Sequence, residues 1–172
     1  NNMSIKRTLA AAFILGSLLL PSTVSAQFNW PYKVVNGKAV TEVPERPAGQ
    51  ESALNLATPK IKVVRIAFVG LGMRGHDAVE RWTHIPGIQV MALCDYERDR
   101  AERCQEYLRK ASMPAADIYS GEDGYKALCK RKDIDLVYIA PDWKHHFLVA
   151  KEAMNNGKHV AVEVPAAMNL HE

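Results

Sequence analysis

The sequence has almost no excess of positive charge. The formal net charge over 172 residues is +3, and Lys6 and Arg7 supply two of those three charges, so the chain beyond residue 26 is close to neutral. Nothing there forms the basic face that a nucleic-acid backbone requires, which excludes nucleic acid as a partner. Cysteine is scarce as well. Cys94, Cys104 and Cys129 are the only three, and no spacing resembles a metal site. Cys94 ends an apolar run, and Cys104 falls at helical spacing among Ala101, Leu108 and Ala111. Buried free thiols are therefore expected rather than a disulfide. There is no internal repeat and no low-complexity tract. The apolar run from Leu9 to Leu20 is too short to span a bilayer comfortably.

That short run reads instead as an export signal. "MSIKRTLAAAFILGSLLLPSTVSA" joins a basic start to an apolar stretch and ends in Val24-Ser25-Ala26, a small-residue cleavage pattern. Cleavage is expected after Ala26, giving an exported, periplasmic protein with no membrane attachment. No cysteine follows the run to carry a lipid. Residues 27–60 contain four prolines (Pro31, Pro44, Pro47 and Pro59) and no sustained period. They read as an extended leader, either a disordered tether or a strap packed on the domain.

From residue 61 the chain alternates. "KVVRIAFVG", "IQVMALCD", "IDLVYIA" and "HVAVEVP" are runs rich in apolar residues, and "ADIY" is a short further candidate strand. Between them lie the helical patterns "RGHDAVERWTHI", "ERDRAERCQEYLRKAS", "DGYKALCKRKD" and "HHFLVAKEAMNNG". Strands that are continuously apolar belong to a sheet covered on both faces. Strand and helix in strict turn build βαβ units. The expected fold is α/β, a Rossmann-type doubly wound parallel sheet of about five strands over residues 61–172.

The first strand runs into Gly70-Leu71-Gly72-Met73-Arg74-Gly75, a G-x-G-x-x-G corner that opens a helix. Asp95, 20 residues beyond Gly75, ends the next apolar run. Gly70 permits the tight turn. Gly72, lacking a Cβ, lets a pyrophosphate lie against the backbone. Gly75 lets helix and strand approach closely. The amides of Met73 and Arg74 at the helix N-terminus are expected phosphate donors. Asp95 is expected to accept from the adenosine ribose hydroxyls, which favours NAD over NADP, with Arg98 near enough to soften the preference.

Two further strand ends face the same edge. After Pro141 come Trp143, Lys144, His145 and His146, read as a loop and the start of the next helix. Trp143 reads either as a stacking surface for a flat ring or as a packing lid. His146 reads either as a ligand donor or acid–base group, or with His145 as a solvated helix start. Glu163, followed by Val164 and Pro165, either faces the cleft or serves as a charge at a helix N-terminus.

These residues together resemble the Gfo/Idh/MocA oxidoreductases, over residues 61–172. The resemblance implies that family's N-terminal NAD-binding domain. Dehydrogenases of the family carry Glu-Lys-Pro where this chain has Glu163-Val164-Pro165, and valine cannot transfer a proton. "EVPAAM", "PAGQESALNL", "GLGMRGHDAVERW" and "GEDGYKAL" resemble glycoside hydrolase family 109, the NAD-dependent α-N-acetylgalactosaminidases. In that branch the fourth loop usually reads Trp-x-Trp-His. Here the second aromatic is missing and Asp142 is unusual.

The resemblance implies NAD contacts at Met73, Arg74, Asp95, Trp143, Lys144, His145, His146, Glu163 and Val164. It also implies hydrolysis of α-N-acetylgalactosaminides by transient C3 oxidation and elimination, with NAD regenerated each cycle. The family's sugar-binding and proton-transfer residues belong to a second domain beyond Glu172. The expectation is thus an incomplete cofactor domain that is inactive by itself, with catalytic residues outside this stretch. The expected partners are NAD and, for the whole protein, a small carbohydrate; a homo-oligomer stays open. An NAD-dependent sugar or polyol oxidoreductase and a non-catalytic nucleotide-binding module are the alternatives.

Overall fold

The computed structural model describes residues 32–41, 48–50, 54, 56–169 and 172. The expected signal peptide, residues 1–26, lies outside the described residues. The chain divides into two compact units, residues 1–56 and 57–172.

The first unit holds a feature missed in reading the leader. β1 (Tyr32–Val35) and β2 (Lys38–Thr41) pair antiparallel as a two-stranded hairpin. Its turn is Asn36-Gly37, both at positive φ (52° and 74°). That dipeptide is the strongest short-range hairpin signal, because both residues tolerate the left-handed region that such a turn demands. Residues 32–41 are therefore hairpin rather than extended leader.

The second unit has a five-stranded parallel sheet made of β3 (Val64–Val69), β4 (Ile88–Asp95), β5 (Asp117–Ser120), β6 (Leu136–Ile139) and β7 (His159–Val162). The order across it is β5-β4-β3-β6-β7. Four helices connect the strands: α1 (Met73–Trp82), α2 (Arg98–Lys110), α3 (Gly124–Cys129) and α4 (Trp143–Asn155). Sequence order runs outward from β3 to one edge, then jumps back to β6 and the other edge. The reversal between β3 and β6 opens a crevice at the carboxyl ends of these strands.

The period-2 alternation of β3 sorts its side chains between two cores. Ile66 and Phe68 pack with Ala78 and Val79 of α1 and with Ala101, Cys104 and Leu108 of α2. Ala67 and Val69 pack with Leu128 and Cys129 of α3 and with Val149, Ala150 and Ala153 of α4. Phe68 is fully buried, edge-on to Trp82 at 6.0 Å and tilted against Tyr138 at 5.5 Å. Burial of a side chain of this size contributes about 1.5–3 kcal/mol. All three cysteines are buried and free, as the sequence led one to expect.

Ion pairs brace the stretch between α3 and β6. Arg131 makes a bidentate pair with Asp133 (2.8 and 2.6 Å) and reaches Asp117 at 2.7 Å. Arg65 grips Asp135 in the same way (2.9 and 2.6 Å). The hydrogen bond from Arg131 holds the Asp133 carboxyl at about 2, below its ordinary 3.8. Arg65 likewise holds Asp135 below its usual range. A carboxyl whose pKa is depressed by folding stabilises the fold above its unfolded value, and the gain is lost as pH falls toward the folded value. Tm should therefore drop between pH 3.8 and about 2. Arg131→Met should shrink that drop, as read by thermal melts across the interval. An unchanged acid slope in the variant would refute the assignment.

Candidate dinucleotide site

β3 ends in the glycine corner, and the backbone geometry shows what each glycine does. Gly70 has φ +85°, and a Cβ there would lie 2.1 Å from the backbone nitrogen of Pro141. The end of β6 thus packs directly against the turn. A Cβ on Gly75 would stand 1.7 Å from the carbonyl oxygen of Gly70, so helix and strand touch through backbone alone. Gly72 differs, because a Cβ there would meet nothing within 4 Å. Gly72 is the N-cap of α1, which has no side-chain cap and no acidic residue in its first turn. The helix therefore presents its first N–H groups and partial positive charge with no capping side chain and no carboxylate in its own first turn. Met73 and Arg74, the first two helical residues, are exposed.

Asp95, at the end of β4, is only 5% exposed. Its Oδ2 accepts the Leu71 N–H at 2.6 Å, and its Oδ1 accepts the Glu97 N–H at 2.9 Å. The carboxylate expected to meet a ribose thus also fixes the glycine turn. Its cation is Arg100, with Nη1 3.4 Å from Oδ1. Arg98, the residue singled out from the sequence, bonds Glu102 at 2.8 Å on the outer face of α2. Helical phase explains the exchange. Arg98 and Glu102 are one turn apart, and Arg100 lies roughly 200° around the helix from Arg98.

At the end of β6, Asp142 caps α4, its Oδ1 accepting the Lys144 N–H at 3.0 Å. The helix begins at Trp143, so Trp143 to His146 all belong to its first turn. Trp143 is 63% exposed. His145 and His146 diverge. His146 is 2% exposed, with Nδ1 2.7 Å from the Pro165 carbonyl and Nε2 3.2 Å from the Pro141 carbonyl. It thus ties the ends of β6 and β7 together.

Past β7, the Glu163 N–H donates to the Ile139 carbonyl at 2.9 Å, which prolongs the sheet. The Glu163 side chain accepts from the Tyr138 hydroxyl at 2.5 Å. Burial, helped by Glu163, pushes the Tyr138 phenol up to about 12. No helix follows Glu163 among the described residues, so it is not a helix N-terminal charge there. Val164 is 82% exposed.

A cleft of about 430 Å³ lies across these strand ends. Gly70, Gly72, Met73, Arg74, Asp95 and His145 line it; Gly75, Trp143, Lys144, His146, Glu163 and Val164 do not. The sequence reading missed Tyr96, Arg100 and Tyr125, which line its β4 and α3 side. Tyr96 and Arg100 follow directly on the β4 end that Asp95 marked, and that nearness was the available signal. Cys94 also lines the cleft, but burial, with Asp95 adding, pushes its thiol up to about 12. It is therefore no nucleophile.

A parallel sheet reversed at β3 and β6, with an uncapped helix over a bare glycine at the reversal, defines a dinucleotide-binding Rossmann domain. The chain belongs to the Gfo/Idh/MocA oxidoreductase family, whose model of an NAD-binding Rossmann fold matches residues 64–172. The chain is 59% identical over 174 residues to glycosyl hydrolase family 109 protein 5 of Phocaeicola vulgatus, covering 96% of this chain and 33% of that protein. It is 56% identical to protein 3 of the same family and organism, covering 99% and 31%. The chain thus spans about a third of the length of these curated relatives. Among solved structures, it is similar to a myo-inositol dehydrogenase from Lactobacillus casei in complex with NAD(H) and myo-inositol. That similarity has a TM-score of 0.55 at 25% identity, over 63% of this chain and 30% of the other. NAD is the cofactor of this domain.

Proposed function

We propose that the whole protein is an exported, NAD-dependent glycosidase that hydrolyses α-N-acetylgalactosaminides, and that residues 57–172 are its cofactor-holding unit. The residues present fit the cofactor. The open space over Gly72, beside uncapped helix amides, suits a pyrophosphate, and this observation carries the reading. Met73 and Arg74 amides would hold the phosphates. Asp95 would meet the adenosine ribose while bracing the turn. By the resemblance, Trp143, Lys144, His145, His146, Glu163 and Val164, which follow β6 and β7, would serve the nicotinamide half, and His145 is the one of them that lines the cleft. When bound, NAD would supply reversible hydride chemistry at the sugar's C3: the C3 ketone would make the neighbouring C2 proton acidic and let the C1 leaving group depart, and water would add at C1 before the hydride returned.

Val164 supports a glycosidase rather than a simple dehydrogenase. A side chain without a proton donor or acceptor stands where the resemblance places lysine in dehydrogenases. The curated relatives' names point the same way. Export is supported by the Lys6-Arg7 start, the Leu9–Leu20 run and Val24-Ser25-Ala26. The competing reading is a sugar or polyol dehydrogenase, favoured by the similarity to the myo-inositol enzyme.

The test uses the full-length protein and a chromogenic α-N-acetylgalactosaminide. The expected result is many turnovers of aglycone with no net NADH. NADH formed mole for mole with sugar would establish the dehydrogenase. Nucleotide binding without either product would leave only a binding module.

A further inference from the structure

We propose that Asn36 is a site of spontaneous deamidation, at which the following backbone nitrogen attacks the side-chain amide and converts the residue to aspartate and isoaspartate. The site is independent of the dinucleotide reading. It emerges from the different ways the fold treats two copies of one short sequence.

Asn-Gly-Lys occurs twice, at Asn36-Gly37-Lys38 and at Asn156-Gly157-Lys158. Glycine favours the attack, because it has no Cβ to crowd its nitrogen and leaves the backbone free to turn. In the step, the Gly37 nitrogen bonds to the side-chain carbonyl carbon of Asn36 and gives up its proton. The bond from that carbon to the amide nitrogen breaks, and ammonia leaves with the proton. Water then opens the cyclic imide at either of its carbonyls. One opening leaves aspartate, and the other leaves isoaspartate, whose main chain runs through the side-chain carbon. The balance is one amide and one water for one carboxylic acid and one ammonia, with nothing oxidised or reduced.

The structure protects one copy and leaves the other open. Asn156 is half-buried at the end of α4, and its side-chain nitrogen donates to the Glu152 carbonyl at 2.9 Å and to Glu152 Oε1 at 3.0 Å. The attacking group is held as well, since the Gly157 N–H donates to the Met154 carbonyl at 2.9 Å. All three bonds restrain the motion that brings nitrogen to carbon. Asn36 and Gly37 are exposed, and among the described residues neither the Asn36 side chain nor the Gly37 N–H has a hydrogen-bond partner. Their sheet holds only two strands, β1 and β2. So small a ladder is marginal by itself, and its opening, which frees the turn to reach the attacking geometry, lies at the low-cost end of local unfolding. The change is also one the turn cannot absorb. Positive φ at both positions, 52° and 74°, sets Val35 opposite Lys38. An isoaspartyl link adds a carbon to the main chain there, and the two-residue turn no longer fits that register.

The test ages the full-length protein at mildly alkaline pH, where the attacking amide loses its proton more readily. Peptide mass mapping and enzymatic methylation of isoaspartate then follow the two sites separately. In the native protein Asn36 is expected to convert at least about tenfold faster than Asn156, because the hydrogen bonds at Asn156 must break before attack. In urea the two rates should come within about twofold, since the unfolded chain presents the same tripeptide at both. Asn36→Gly keeps a residue that accepts positive φ and should remove most of the isoaspartate formed by the native protein. Equal native rates would mean that sequence alone governs the reaction, and would overturn the proposal. A native Asn36 that stays intact while urea releases it would overturn it too.

Discussion

Gly75→Ala is expected to lower the Tm of the whole protein by roughly ten degrees and to weaken NAD binding, while Gly72→Ala weakens NAD binding about a hundredfold with little effect on Tm. Both substitutions add one methyl group to the same six-residue corner, so only their surroundings differ. The methyl on Gly75 would stand 1.7 Å from the Gly70 carbonyl oxygen and 2.8 Å from its carbon. Those atoms are backbone and cannot rotate aside, so α1 must lift from β3. Overpacking of this kind costs about 1–3 kcal/mol or more, and each kcal/mol moves Tm by roughly 2–8 °C, less in larger domains. The methyl on Gly72 meets no protein atom within 4 Å, and its φ of −69° is ordinary for alanine. It would fill the space assigned to the pyrophosphate and displace bonds to charged oxygens worth about 1.5–3 kcal/mol each. A loss of about two orders of magnitude in NAD affinity, roughly 2.8 kcal/mol, is expected. Thermal melts and isothermal titration on the two variants decide the matter. Normal NAD affinity in Gly72→Ala would mean that the cradle is not where the phosphates lie.

Asp95→Asn should destabilise the protein before any cofactor is added. A carboxylate that served only a ribose could be exchanged for an amide with no effect on the empty protein. Here both oxygens already accept backbone N–H groups, from Leu71 at 2.6 Å and Glu97 at 2.9 Å. Asparagine offers one accepting oxygen, and its amide turns a donor toward the other N–H. One buried donor is left unpaired, at a cost of about 1–3 kcal/mol, and Arg100 loses its counter-charge. Asp95→Ala leaves both N–H groups unpaired and should cost more. The checks are Tm without nucleotide and the further rise in Tm on adding NAD. Both variants should start lower and gain less than wild type. An Asp95→Asn protein that melts with wild type and merely binds NAD weakly would confine Asp95 to the ribose.

The architecture was legible because the strands of this sheet are buried on both faces. "IQVMALCD" became β4 residue for residue, and the glycine corner was recognisable from its spacing, with strand and helix on either side. What escaped the reading depends on phase and on long-range contact. His146 shares a stripe with Val149, Ala150 and Ala153, spaced three, four and seven apart, so it turns inward while His145 turns to the cleft. That stripe could have been phased from the sequence had Asp142 been recognised as the cap. The double duty of Asp95 had no local sign, because Leu71 lies 24 residues away. The hairpin at Asn36-Gly37 was overlooked for another reason: prolines on either side of it made the leader look structureless throughout.

The corner proposed to receive the phosphates is made of main chain. Strand, turn and helix meet there without an intervening side chain, and a buried carboxylate locks the turn from behind. Such a surface has no rotamers to freeze when it is filled, since its ordering was completed as the chain folded. Less entropy is therefore lost on occupation. On the proposed function, a dinucleotide seated there is held tightly for its contacts and should copurify with the protein, behaving as a fixture rather than a visitor.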